Sequence, residues 1–209
     1  MNVVKRFLGH LNTVNRHRFQ VCKMCFKFGI YWQGLTHDLS KYNPVEFFPS
    51  VKYYQGGRSP IDAEKEDKGF SMAWVHHHNR NKHHSIYWMD RTNGEMTAVR
   101  IPLKYVYELI ADSIGAGKVY FKNSGKEWTE KEPFEYWKNV DRKNTWKWLH
   151  PETQIVVDMI YIDIVRYGLK KVCEMIKNGY YKKFYSKTGK EQISGMEEYK
   201  KIIELYYEK

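Results

Sequence analysis

The sequence predicts an all-α fold, a helical bundle with one small β-hairpin and a C-terminal helical extension. Three observations predict it. Apolar residues recur three, four or seven positions apart through most of the 209 residues, the spacing of one buried helix face. Helix-starting residues, proline behind serine among them, punctuate those stretches. A single segment, 85–99, reads instead as two short extended runs about Asn93-Gly94, a dipeptide that suits the tight turn of a hairpin.

In chain order, Val14, Val21, Cys25, Phe28 and Trp32 mark the inward stripe of a helix ending at Gly34. His17, four before Val21, can share that stripe. Thr36 is placed to cap a short helix carrying His37, Asp38 and Lys41, interrupted at Asn43-Pro44. Ser59-Pro60 starts a further helix, with Asp62 and Glu64 favourable to its dipole, and that helix is expected to run into the histidine cluster His76-His77-His78. Asn79 and Asn81 then favour a break before His83-His84. The hairpin is expected to form a flap beside these histidines. Pro102 opens a helix with Leu103, Val106, Leu109 and Ile110 buried and Asp112 near its end, before Gly115-Ala116-Gly117. Thr129 with Glu132 forms a capping box, and a long apolar helix follows from Pro151 to Gly179. Ser194 with Glu197 reads as a second box ahead of a last helix. Residues 1–125 are thus expected to form a metal-binding core, with 126–209 as the helical extension packed on it.

Composition narrows the class. With 42% hydrophobic and 16% aromatic residues the chain can bury a substantial core and is not of disordered type. No apolar run approaches the roughly 20 residues that span a bilayer, and Met1–Leu8 lacks a secretory hydrophobic stretch. The reading is a cytoplasmic protein without a membrane partner. Three cysteines, Cys22 and Cys25 among them, make no second pair for a zinc knuckle and read as buried small hydrophobes. The net charge of +11 favours anionic partners: a small anionic substrate first, and nucleic acid as a second class, since Tyr180–Lys187 interleaves aromatic and basic residues.

The chemistry concentrates in histidine. His76, His77, His78, His83 and His84 crowd into one short stretch, and His37-Asp38 lies upstream between His17 and the later Asp112. Imidazoles and carboxylates arriving from separate elements are what a divalent transition metal requires. The set is large enough for one ion or two, of iron, manganese, zinc or nickel. The candidate ligands are His17, His37, Asp38, His76, His77, His83, His84 and Asp112, with the choice within each adjacent pair open.

An early His17, the doublet His37-Asp38 continued by Leu39-Ser40-Lys41, and a distant Asp112 resemble the signature of the HD superfamily of metal-dependent phosphohydrolases. The stretches Tyr31–Lys41 and Arg80–His84 resemble an uncharacterised group of small bacterial and phage HD-like proteins. The resemblance covers roughly the first 120 residues. It implies an HD-type helical bundle and hydrolysis of a nucleotide or other phosphate ester. Asp38 and Lys41 would be catalytic, Lys41 meeting substrate oxygens, with Arg80 and Lys82 as further phosphate contacts. Arg58 is a weaker candidate, and Glu46 reads as a surface residue ahead of a hydrogen-bond partner for a ligand histidine or a proton acceptor. The Glu and Gly-Tyr-Pro motifs of the two-metal cyclic-dinucleotide phosphodiesterases are missing, so that subtype is not expected. Two alternatives use the same residues: an HD-type di-iron oxygenase, and a non-enzymatic, metal-stabilised module that binds nucleic acid or protein.

Overall fold

The computed structural model describes residues 1–185 and 196–207, the side chains of 196–199 excepted. Ser194 and the Glu197 side chain, and with them the second capping box, lie outside the described residues, as do Ser186 and Lys187. The fold is all-α with a small antiparallel hairpin, as the spacing predicts.

Helix α1 (Val3–Phe28) is capped by the Asn2 side chain, which accepts from the Lys5 amide. It ends earlier than expected, because Gly29 takes a left-handed conformation (φ 77°) that closes the helix and starts the separate α2 (Tyr31–Thr36). Thr36 therefore ends a helix instead of starting one, its hydroxyl donating to the Trp32 carbonyl. His37 and Asp38 occupy the break that follows, ahead of a 3₁₀ turn, Leu39–Tyr42.

Asn43 caps α3 (Pro44–Tyr53) by accepting from the Val45 amide. Helix α4 (Pro60–Lys68) begins at Ser59-Pro60 but stops at left-handed Gly69, short of the histidines. They belong to α5 (Met72–His78), whose N-cap Ser71 accepts from the Trp74 amide. The break falls at Asn79. Strands β1 (Met89–Thr92) and β2 (Glu95–Ala98) pair in register Met89 to Ala98 about Asn93 and Gly94, both at positive φ, as the turn chemistry requires.

Helix α6 (Leu103–Asn123) does not end near Asp112 but continues through Gly115 and Gly117. The reason is packing: a Cβ at Gly115 would stand 2.5 Å from a Val21 methyl, so glycine is what lets α1 and α6 approach. Helices α7 (Glu132–Tyr136) and α8 (Arg142–Thr145) flank a π-helical turn, Trp137–Asp141. Lys131, and not Thr129, stands at the N-cap of α7. The long α9 (Pro151–Lys177) is kinked at Gly168 (φ 79°, ψ 157°), and α10 (Met196–Tyr207) packs against it.

One apolar core unites these helices: Val21, Cys25 and Phe28 of α1, Ile110 and Ile114 of α6, and Val156, Ile160 and Ile164 of α9 are all buried in it. Cys25 fills core space as a small hydrophobe, and the three cysteines are free. No helix among the described residues is long and apolar enough to cross a membrane.

Candidate metal centre

The histidines and carboxylates converge beside the middle of α1 and α6. His17 projects from α1 and Asp112 from α6, the two helices held close by Gly115. His37 and Asp38 come from the break after α2. Asp38 adopts φ 52°, a left-handed conformation that aspartate tolerates better than most residues and that commonly marks functional strain. The Arg18 guanidinium fixes this break, donating to the His37 and Leu35 carbonyls at 2.7 and 3.1 Å.

Four ligand atoms meet first. His17 Nε2 lies 3.1 Å from Asp112 Oδ1 and 3.3 Å from Asp38 Oδ2. His37 Nε2 lies 3.4 Å from each of those oxygens and from His17 Nε2. The other oxygens of the two carboxylates face a second group. Asp38 Oδ1 stands 3.4 Å from His77 Nε2 and 3.6 Å from His83 Nε2, and Asp112 Oδ2 stands 3.5 Å from His83 Nε2. His84 joins His77 and His83 within reach of one ion.

These separations fit a metal. Ligand atoms about 2.0–2.2 Å from one ion lie roughly 3.0–3.5 Å from each other in tetrahedral or octahedral arrangement. The centre is also short of hydrogen-bond partners. His83 Nε2, His84 Nε2 and Asp38 Oδ1 are buried without one, an expensive condition for polar atoms unless a cation completes them.

Carboxylates behind the ligands set their orientation. Glu108, one turn before Asp112 on α6, accepts from His37 Nδ1 at 2.9 Å and lies 3.3 Å from His83 Nδ1. Glu46 lies 2.9 Å from His77 Nδ1 and 2.6 Å from His76 Nδ1. Such contacts hold imidazoles with Nε2 free for a metal. Glu46 is buried, contrary to its expected surface position, because α3 packs its first turn against α5.

The electrostatics follow. Burial alone would raise Asp38, but His37, Lys41 and His77 hold it well below the usual carboxylate range. Asp112 is likewise held down, against its burial, by His17 and His37. His84 falls well below the ordinary histidine value through burial and the neighbouring His83 and His77. Lys41 Nζ pairs with Asp38 Oδ2 at 2.7 Å, and its side chain remains partly exposed.

The remaining sequence candidates stand apart from these ligand atoms. His76 is held by Glu46 and lines a polar cleft with Arg80, Ser40 and Asn43. The Lys82 ammonium lies over the Tyr87 and Tyr105 rings, and its carbonyl accepts from Trp88 Nε1. Arg58 pairs with Glu66 on the surface. The hairpin strands line neither the cleft nor the cavity beside the ligands, although Ser85 just before them lines the cavity.

Fold and site together define an all-α protein with a buried histidine and carboxylate cluster able to hold a metal ion. The chain belongs to a Family of unknown function (DUF5662), whose model matches residues 6–162. That match takes in every ligand atom described above and runs past residue 125 into the first half of α9. No curated protein and no solved structure matches the chain.

Proposed function

We propose that the chain is a metal-dependent phosphohydrolase of HD type, acting on a nucleotide or other phosphate ester. The observation that carries this reading is the two-sided use of the carboxylates. Asp38 and Asp112 each turn one oxygen toward His17 or His37 and the other toward His83, with His77 also facing Asp38. That arrangement suits two cations sharing carboxylates. A donor set of imidazole and carboxylate suits iron, manganese, zinc or nickel.

His17, His37, Asp38 and Asp112 would hold one ion, and His77, His83 and His84 could hold a second. Ions bound there supply Lewis-acid polarisation of a phosphoryl oxygen and a water acidic enough to ionise near neutral pH. Lys41, fixed at Asp38 and partly exposed, balances charge on a phosphoryl oxygen brought to the centre. Glu108 and Glu46 hold His37, His83 and His77 in the orientation that presents Nε2. Asp112, the most open of the two aspartates at 23% side-chain exposure, faces the side from which substrate enters.

The test is metal content and phosphate release, compared between wild type and Asp38→Ala after loading with each candidate metal. Bound metal and metal-dependent release from phosphate esters in the wild type, both lost in the variant, is the expected outcome. Release that survives unchanged in Asp38→Ala sinks the reading. Dioxygen uptake by iron-loaded protein, without phosphate release, replaces hydrolysis by oxidation at the same ligands.

A further inference from the structure

A cavity of about 420 Å³ adjoins the metal centre, with His83, His84 and Asp112 among its lining residues. Its other walls are unlike the rest of the molecule. Tyr120 and Tyr136 bring aromatic rings to it, Trp74 and Trp137 line it with rings already packed on His77 and Tyr161, and its acidic groups among the described residues beyond Asp112 are Glu132 and Asp141. Among the described residues no lysine or arginine lines it, in a chain that carries 35 of them and a net charge of +11. A cavity that receives an extended polyanion would be expected to draw on that excess. This one excludes it.

Asp141 is the second observation. It closes the π-helical turn Trp137–Asp141, a rare backbone form concentrated at functional sites. Asp141 lines the cavity, and no protein donor among the described residues bonds its carboxyl. Burial, and then the charge of Asp112, push it up to about 7, as befits an acid with no cation beside it.

We propose that this cavity receives the organic group of the substrate, a planar aromatic ring system, uncharged or cationic, that offers N–H donors to Asp141 and carries a single phosphoryl group. The inference rests on the phosphohydrolase reading for the phosphate and on the cavity alone for the ring. Flat rings stack on tryptophan and tyrosine with little demand for sequence or shape, and an N–H edge or amidinium matches a carboxylate that lacks a donor. One phosphoryl group finds the metal ligands and Lys41. A second or third would lie among Asp112, Glu132 and Asp141 with no basic side chain to balance it, a like-charge arrangement that rejects polyphosphates.

The experiment uses the full chain and two probes with the same ring and opposite charge, benzamidine and benzoate, titrated against intrinsic tryptophan fluorescence. Benzamidine is expected to give saturable quenching and benzoate at least tenfold weaker quenching. Asp141→Asn should weaken benzamidine at least tenfold with metal content and melting temperature unchanged. Tyr136→Ala, at an exposed aromatic residue, gives a second and milder loss that does not depend on the Asp141 variant folding. Equal binding of the two probes, or no effect of Asp141→Asn, overturns the proposal. A parallel assay on metal-loaded protein compares adenosine monophosphate with adenosine diphosphate, the first expected to be cleaved at least tenfold faster. Charge-selective, Asp141-dependent binding without phosphate release from either nucleotide supports the cavity and removes the hydrolase reading. Phosphate release with no discrimination between the probes keeps the hydrolase reading and overturns the cavity.

Discussion

Two of the regions of this molecule that bury carboxylates do it in opposite ways. On α9, Asp158 is fully buried and accepts from Trp137 Nε1 at 2.7 Å, Tyr207 at 2.6 Å and Arg142 Nε at 3.4 Å. Asp163 on the same helix accepts from Tyr181 at 2.9 Å. Burial raises both above the usual carboxylate value despite those donors. Beside α1 and α6, Asp38 is equally buried, yet it is held low, and its partners are imidazole nitrogens and one ammonium. On α9, donors from the protein complete Asp158, while Asp163 has one oxygen bonded to Tyr181 and the other buried without a partner. The acids beside α1 and α6 stand among imidazoles that together with them could hold a metal ion. Burial of an acid therefore says little about function, whereas the identity of the groups around it says a great deal.

The contrast breaks if disturbing either region produces the effect expected of the other. Glu108→Gln should have the larger effect on function. It weakens the acceptor that orients His37 and His83, and metal affinity is expected to fall about 10–100-fold, read by competition with a chelator, while the melting temperature of metal-free protein changes little. If affinity is unchanged, Glu108 is not an orienting group. Asp158→Asn should do the reverse. It loses the charge facing Arg142 and leaves the donors around it imperfectly matched, at a cost of about 1–3 kcal/mol in unfolding free energy, measured by denaturant titration, with metal stoichiometry intact. Loss of metal in Asp158→Asn would erase the distinction between the two regions.

How much of this was legible in the sequence differs between the same two regions. The candidate set His17, His37-Asp38, His77, His83-His84, Asp112 could be singled out because chemistry restricts metal ligands to a few residue types. The separation of His77 from His76 could not, because it depends on how α5 sits against Glu46. Glu108 was missed, although a signal existed: it precedes Asp112 by one helical turn, on the same face of α6. Glu46 looked like surface because nothing local distinguishes an acid buried by a neighbouring helix from a solvated one. Helix existence was legible from periodicity, but breaks at Gly29 and Gly69, and the continuation through Gly115, required tertiary information. A glycine that ends a helix with positive φ and one that admits a Val21 methyl look alike in sequence.

The smallest expected effect sharpens the comparison from outside both regions. His10 on α1 is buried against the Phe47 and Tyr54 rings, its Nδ1 without a partner. Burial first, and then the positive charge of Lys41, lower its pKa to about 4, against about 6.5 in an unfolded chain. Between those values the unfolded state binds a proton that the folded state does not, so stability rises with pH across this window and is lost as pH falls through it. His10→Gln removes that proton uptake. Melting temperatures of chelated wild type and variant, taken from pH 7 down to pH 4, should therefore fall less steeply for the variant, so that any advantage of the wild type at pH 7 shrinks toward pH 4. Parallel curves would mean that His10 is protonated alike in both states. The acid sensitivity of the fold would then have to come from other histidines lowered by burial, such as His78, also brought down to about 4, or His84 among the candidate metal ligands.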